Sequence, residues 1–150
     1  MERLPHAKNY RELLVYQKAR VLQKEIFVLS RSFPKDEQFS LVDQIRRSSR
    51  SIGANIAEVW GKRRYEKHFV SKLTDADDEQ YETQHWIGTA VDCEYLSREK
   101  ATPYLEKCEE IGRLLGGMMD KADLFCGELP KTIRESTLEY FVDLAHGSAD

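Results

Sequence analysis

Six basic side chains lie close together in the middle of the chain, and such clusters commonly bind phosphate groups. They are Arg46, Arg47, Arg50, Lys62, Arg63 and Arg64. Apart from Trp60, no aromatic residue is interleaved with them in the sequence, so the pattern gives no support to base stacking. The same residues also suit a solvated helix face, or ion pairs with an acidic third helix. The sequence alone leaves these interpretations open.

Charge is distributed unevenly around this basic segment. Residues 41–72 contain eight basic and three acidic side chains, a net charge of +5. Residues 73–150 contain seven basic and 18 acidic side chains, a net charge of -11, whereas the whole chain carries only -3. The basic segment therefore suits either a polyanion such as RNA or DNA, or an acidic surface of a second copy.

A polar stripe runs along the same predicted helix beside its apolar stripe. Its members follow one another at spacings of four, three, four and three residues: Gln44, Ser48, Ser51, Asn55 and Glu58. Buried polar groups need hydrogen-bond partners, and the third predicted helix offers Asp75, Glu79 and Glu82. We therefore expect a polar network between helices or between subunits, the alternative being a hydrated helix face.

Catalytic and metal-binding patterns are weak. A di-iron bundle needs two Glu-x-x-His pairs, and the chain has one, from Glu82 to His85. There is no nucleophile motif and no glycine-rich phosphate loop. The three cysteines, Cys93, Cys108 and Cys126, form no Cys-x-x-Cys pair. We expect no metal, no cofactor, no small-molecule substrate and no enzymatic activity.

The elements that position these residues are helices, because apolar residues recur at intervals of three and four. The spacing predicts helices over about 9–31, 36–60 and 64–97, and a fourth from about Thr102 that places Pro103 in its first turn. At 100° per residue, Arg46 and Arg50 fall away from Leu41, Ile45 and Ile52, so we expect them to face solvent. No strand pattern is present.

Four helices with short connections predict an all-α, up-and-down antiparallel four-helix bundle. We assign the bundle to residues 1–126. Residues 127–150 form a C-terminal extension, with a candidate short amphipathic helix around Leu138, Phe141, Val142 and Leu144. The extension has two candidate docking places, the bundle itself and a neighbouring subunit.

The composition is that of one globular domain. The chain has 150 residues, of which 41% are hydrophobic and 33% charged, a size and content sufficient for a single core. No window approaches the roughly 20 apolar residues of a membrane span, and Met1–Tyr10 has no apolar segment behind its basic residues. We expect a cytoplasmic protein without membrane contact.

The stretch from Gln44 to Glu58, QIRRSSRSIGANIAE, resembles the signature of the bacterial four helix bundle protein family. That family is named for proteins encoded in intervening sequences of 23S ribosomal RNA genes, and it is related to the accessory variability protein of diversity-generating retroelements. Residues 14–19, 33–41, 72–79, 82–87 and 92–96 resemble its other motifs, so the resemblance covers about Tyr10 to Phe125. One departure is Val59, where the family usually has glycine, so the second helix is expected to run slightly longer or end through Gly61.

The resemblance implies a cytoplasmic, non-enzymatic bundle that assembles into a ring, as a homopentamer, and it implies a role in binding RNA or DNA. The six basic residues named above are then the nucleic-acid-binding candidates. The alternative function is a purely structural or protein–protein assembly scaffold. In that case the basic segment of one subunit pairs with the acidic third or fourth helix of the next.

Overall fold

The structure, a computed structural model, describes residues 7–126. Its four long helices are α1 (Leu14–Ser30), α2 (Leu41–Trp60), α3 (Glu66–Asp92) and α4 (Arg98–Asp120), and a short helix α5 (Ala122–Phe125) follows. Two single 3-10 turns, Tyr10–Glu12 and Lys35–Glu37, precede α1 and α2. The predicted extension at 127–150 lies outside the described residues.

The helices pack in cyclic order, α1 on α2, α2 on α3, α3 on α4 and α4 back on α1. The α2–α3 contact is the most extensive of the four and the α1–α4 contact the smallest. Because each connection is short, successive helices run antiparallel, and residues 7–126 contain no strand. The predicted all-α four-helix bundle is confirmed.

The core is built from one apolar stripe on each helix, which is why these amphipathic segments form a stable bundle. Leu22 and Ile26 of α1, Ile45 and Ile52 of α2, and Leu73 of α3 are fully buried. Other buried members of the four stripes are Ala19, Leu41, Ile56, Phe69, Ala76, Thr83, Ile87, Ala90, Ile111, Leu115 and Met118. Ala122 and Phe125 of α5 are buried as well. At the start of α1, Val15 is buried and Leu14 is half-buried.

The start of α2 differs from the prediction. The helix begins at Leu41 rather than near Asp36, and the residues before it form the 3-10 turn Lys35–Glu37 and a further turn. Pro34 has an extended backbone, and it accepts a hydrogen bond from the Glu37 amide at 3.0 Å. At its other end α2 stops at Trp60 with Gly61 as the capping residue.

The α3–α4 connection also differs from the prediction. The chain bends after Asp92, because Glu94 adopts a left-handed backbone (φ 64°) and the Tyr95 amide donates to the Ala90 carbonyl at 2.9 Å. This is a Schellman cap formed without glycine, so it left no signal in the sequence. The Ser97 hydroxyl then accepts from the Lys100 amide and starts α4 at Arg98. Pro103 consequently lies in the second turn of α4, not the first.

Membrane insertion through a helix finds no support in the described part of the chain, since none of its helices is both long and apolar enough to span a bilayer.

Candidate nucleic-acid interface

The six predicted basic residues occupy three separate places. Arg46 and Arg50 turn toward α1, whereas Arg47 turns toward α3. Lys62, Arg63 and Arg64 lie in the connection after α2. Since a helix rises 1.5 Å per residue, this connection begins roughly 16 Å along the axis from Arg50. The sequence cluster is therefore not one patch in three dimensions.

Arg46 is held against the end of α1. Its Nε donates to the Ser30 hydroxyl oxygen at 2.7 Å, and that hydroxyl donates in turn to the Phe27 carbonyl at 2.9 Å. Its guanidinium carbon lies 4.7 Å from the centre of the Phe27 ring. The expectation that Arg46 and Arg50 both face solvent holds for Arg50 and holds only in part for Arg46, which is half-buried and lines an open groove.

Three arginines surround the Phe27 ring. The guanidinium carbons of Arg31, Arg46 and Arg50 lie 4.5 Å, 4.7 Å and 5.7 Å from the centre of the ring. We call Arg31, Arg46 and Arg50 the arginine cluster. A basic group within about 6 Å of an aromatic face is attracted by the ring, so Phe27 orients guanidinium groups that repel one another. Phe27 comes from α1, so this aromatic ring joins the basic residues only in the folded chain.

The arginine cluster has no internal charge compensation. None of its three members forms an ion pair with a carboxylate of residues 7–126. Burial lowers the pKa of Arg46 below its ordinary value, and the charges of Arg50 and Arg31 lower that pKa further. Concentrated positive charge that the bundle leaves unpaired is what an anionic ligand relieves.

Two open grooves meet at Arg50. The Phe39 groove, about 580 Å³, is lined by Gln38, Phe39, Asp43, Arg46, Arg47 and Arg50 among others. The Lys24 groove, about 440 Å³, lies on the α1 side and adds Arg20 and Lys24. The arginine cluster, Arg20 and Lys24 together form what we call the basic face. Asp43 is the one carboxylate in the lining of these two grooves.

Arg47 belongs to the α2–α3 contact instead. It forms an ion pair with Glu82, lies 3.8 Å from the Glu79 carboxylate, and places its Nε 3.5 Å from the Gln44 side-chain oxygen. Arg47 therefore follows the alternative prediction for the basic residues, in which they form ion pairs with the acidic third helix. Phosphate binding by this side chain would require breaking those pairs.

The polar stripe is divided between contacts to α3 and contacts within α2. The Thr83 hydroxyl donates to the Ser48 hydroxyl oxygen at 3.0 Å, and both residues are fully buried. Glu58 pairs with Lys72 at 2.5 Å. Among residues 7–126, the side chains of Ser51 and Asn55 donate only within α2, to the Arg47 and Ser51 carbonyls at 2.8 Å and 2.9 Å. Thr83 and Lys72 were not predicted as partners, since the expectation from the sequence named carboxylates alone.

Glu79, a member of the α2–α3 contact, has an incompletely hydrogen-bonded carboxylate. One of its carboxylate oxygens, Oε2, is buried and has no hydrogen-bond partner among the described residues. Burial raises the pKa of Glu79, and the neighbouring charge of Glu82 raises that pKa further, against the opposing effect of Arg47. Arg47 thus stabilises two carboxylates that would otherwise repel each other across one turn of α3.

The connection after α2 carries a smaller basic group. Lys62 and Arg64 are exposed, while Arg63 lies over the Trp60 indole with its guanidinium carbon 3.6 Å from the ring centre. The Nε of Arg63 also donates to the Trp60 carbonyl at 3.0 Å. Arg63 is therefore held on Trp60, and Lys62 and Arg64 are the solvent-exposed basic side chains of this segment.

Residues 7–126 contain no group of three or more His, Cys, Asp or Glu side chains placed to hold a metal ion. In the Glu-x-x-His pair, Glu82 is engaged by Arg47 and the His85 ring packs 4.7 Å from the Trp86 ring. Burial raises the pKa of the Cys108 thiol to about 12, so this cysteine is held in its unreactive protonated form.

Comparison with known proteins shows which family the chain belongs to. A search of curated proteins finds no match. Among solved structures, the chain is similar to a protein of unknown function from the S23 ribosomal protein family of Bacteroides thetaiotaomicron. The two are 30% identical with a TM-score of 0.63, and the similarity covers 70% of this chain and 97% of that one.

Residues 11–117 match the family described as 23S rRNA-intervening sequence protein. The match runs from the first 3-10 turn to the last turn of α4, so it includes the arginine cluster, the Phe39 groove and all four long helices. The resemblance drawn from the Gln44–Glu58 stretch is confirmed, and the chain belongs to the 23S rRNA-intervening sequence protein family.

Proposed function

We propose that the protein is a non-enzymatic, cytoplasmic, homo-oligomeric bundle that binds the phosphate backbone of RNA or DNA through its basic face. The observation that carries the proposal is the arginine cluster: three guanidinium groups around Phe27, none of them paired with a carboxylate of the described chain. Arginine is suited to this role because its planar guanidinium donates two parallel hydrogen bonds to one phosphate.

The geometry changes the set of contacting residues. Arg46 and Arg50 stay in it. Arg20 and Lys24 of α1 join it because they line the Lys24 groove together with Arg50, and Arg31, directly after α1, joins it because it lies over the same Phe27 ring. Lys62 and Arg64 supply a second contact further along, with Arg63 on Trp60 between them. Arg47 leaves the set because Glu82 and Glu79 already engage it. Binding is expected to depend on charge rather than on base sequence.

The test is binding of a short fluorescent RNA to wild type, an Arg46→Ala/Arg50→Ala variant and an Arg47→Ala control. The three substituted residues are neighbours on α2, and each substitution removes an arginine side chain. We expect the double variant to lose affinity at least tenfold and the control to bind like wild type, apart from any loss of folded protein. Equal affinities in all three proteins would contradict the proposal.

A second candidate function is self-assembly without nucleic acid, and the opposite charge of two faces favours it. The α3 helix contains seven acidic and two basic residues, and Asp75 and Asp78 are exposed on its outer side. A basic face on one copy that packs on the acidic α3 of the next is a heterologous contact, and such a contact forms a ring when the rotation between successive copies closes. The expected homopentamer is of this kind.

Light-scattering mass separates the two candidates. If the arginine cluster joins subunits, an Arg31→Ala/Arg46→Ala/Arg50→Ala variant falls to a lower mass, and so does an Asp75→Asn/Asp78→Asn variant. If the cluster binds nucleic acid, the arginine variant keeps the wild-type mass and loses only the RNA. A wild-type mass of five chains is the result expected for the ring, and a monomeric mass would contradict it.

A further inference from the structure

Phe39 is the most exposed large apolar side chain of the described residues, at 87%. It lies in the turn between Pro34 and α2, while the residues that follow it, Leu41 and Val42, are buried. Burying a phenylalanine side chain stabilises a folded protein, so the bundle forgoes this stabilisation at Phe39. A flat aromatic ring held in solvent by an ordered turn is available to a ligand.

The ring stands at one end of a groove whose other end is basic. Phe39 and Asp43 line the Phe39 groove near the start of α2, and Arg46 and Arg50 line it one to two turns further on. From Asp43 to Arg50 the helix rises about 10 Å. One groove thus offers an aromatic face, a carboxylate acceptor and two guanidinium donors, in that order along α2.

We propose that the Phe39 groove holds an unpaired nucleotide of single-stranded RNA or DNA, with its base stacked on Phe39 and its phosphates on Arg46 and Arg50. This inference rests on the proposed function, which it narrows from nucleic acid in general to single strands. Asp43 is placed to accept a hydrogen bond from an exocyclic amino group of the base. The carboxylate also keeps phosphates toward the Arg50 end by repulsion.

The single strand follows from what stacking requires. In a duplex both faces of each base are already covered by neighbouring bases, so a protruding aromatic side chain finds no free face. In a single strand a base turns out of the stack easily and is covered by an aromatic side chain, at a gain of about 1–3 kcal/mol per base. Backbone-only binding uses the arginines and leaves Phe39 without a role.

The groove is better suited to a nucleotide than to an apolar segment of another protein. Its lining includes Arg46 and Arg50, which have no carboxylate partner in residues 7–126, and a purely apolar occupant would bury these charges unpaired. Burying an unpaired charge is costly. A nucleotide brings both the flat apolar surface for Phe39 and the negative charge for the arginines.

The experiment uses the full chain and one fluorescent RNA of about 12 nucleotides, a length within known single-strand site sizes, offered alone or annealed to its complement. Affinities are measured for wild type, Phe39→Leu and Phe39→Trp. Leucine keeps the apolar side chain without an aromatic face, and tryptophan keeps the face. Tyr81→Leu is the matched control, because Tyr81 is 61% exposed on the acidic α3.

We expect wild type to prefer the single strand. Phe39→Leu should weaken single-strand binding about 5- to 100-fold, the range that corresponds to one lost stacked base, while duplex binding stays unchanged. Phe39→Trp and Tyr81→Leu should bind the single strand like wild type. An unchanged single-strand affinity of Phe39→Leu, or an equal loss for the duplex, would overturn the inference.

Three further outcomes bear on this inference and on the proposed function beneath it. Absence of binding to both RNAs by wild type would end the proposed function and the inference together. Tight wild-type binding to both RNAs, with Phe39→Leu unaffected, ends the inference alone. A fall in light-scattering mass for Phe39→Leu would also overturn it, since Phe39 would then be a contact to a second copy.

Discussion

Arg46 and Arg47 are consecutive residues of α2, yet their side chains join different neighbouring helices. The Nε of Arg46 donates to Ser30 of α1 at 2.7 Å, whereas Arg47 forms an ion pair with Glu82 of α3. The first arginine has no carboxylate ion-pair partner among residues 7–126, and the second belongs to the packing of the bundle. Substitutions at the two positions should therefore have different consequences.

For Arg47 the expected consequence is a loss of stability. Exposed ion pairs contribute roughly 0.2–1 kcal/mol each, so we expect Arg47→Ala to lower the free energy of unfolding by about 1 kcal/mol. A double-mutant cycle with Glu82→Gln, measured by urea unfolding, isolates the pair from other effects of either substitution. Strictly additive losses in that cycle would show that the pair does not contribute.

The buried Ser48–Thr83 hydrogen bond gives a second prediction. Ser48→Ala removes an acceptor that bonds across to α3, and Ser51→Ala removes a hydroxyl that bonds only to its own helix. Both substitutions gain the same helix propensity from alanine, so their difference reports the interhelical bond. We expect Ser48→Ala to be less stable than Ser51→Ala by roughly 0.5–1.5 kcal/mol. Equal stabilities in denaturant unfolding would contradict this.

Glu79 predicts a pH dependence of known sign. Because burial and Glu82 raise the pKa of this carboxyl in the folded state, its proton is held more tightly folded than unfolded. Its contribution to stability is full below the unfolded value, about 4.3, and is lost as pH rises through the folded pKa. Glu79→Gln should remove that loss. At pH 7 we therefore expect the free energy of unfolding of Glu79→Gln to exceed that of wild type by roughly 0.2–0.5 kcal/mol.

The measurement for Glu79 is thermal unfolding of wild type and Glu79→Gln from pH 4 to 7. The stability difference between the two proteins should move in favour of Glu79→Gln as pH rises. Glu106→Gln is the control, since Glu106 is exposed on α4 with no ion pair in the described chain. A difference that is constant with pH would rule out the raised pKa.

Two glycines of α4 give a matched pair for the α3–α4 contact. A methyl group at Gly112 would meet the Gln80 side-chain nitrogen at 2.9 Å and the Asp77 carboxylate at 3.3 Å, whereas nothing lies within 4 Å at Gly116. Gly116→Ala should stabilise the protein by up to about 1 kcal/mol. Gly112→Ala should be less stable than Gly116→Ala by roughly 1–3 kcal/mol. Equal melting temperatures would contradict the close approach.

The sequence predicts the bundle well because the apolar residues that recur at the helical period are also the residues that the helices bury. The stripes containing Ile45, Leu73 and Ile111 needed no tertiary information. The ends of helices were harder: the Schellman cap at Glu94 uses a residue with no turn preference, so α3 was expected to continue to Ser97. Boundaries set by backbone geometry without glycine or proline leave no trace in the periodicity.

The candidate site was predictable only in part. The basic character of α2 is visible in the sequence, and so is the angle that separates Arg46 and Arg50 from the core. Phe27 and Arg31 joined the site only in the folded chain, because they come from the end of α1, some 20 residues earlier. Phe39 was missed for a different reason: the predicted helix over 36–60 included it, and its exposure depends on the turn before Leu41.

The salt dependence of RNA binding tests the central claim, that the basic face contacts phosphates, most directly. Each neutralised phosphate contributes about 0.7–0.9 to the log–log slope of affinity against salt. Five contacts by the basic face and two by Lys62 and Arg64 therefore predict a slope of roughly -5 to -6 for wild type, reduced in magnitude by about 2–3 in Arg31→Ala/Arg46→Ala/Arg50→Ala. A wild-type slope near zero, or the same slope in both proteins, would contradict the account.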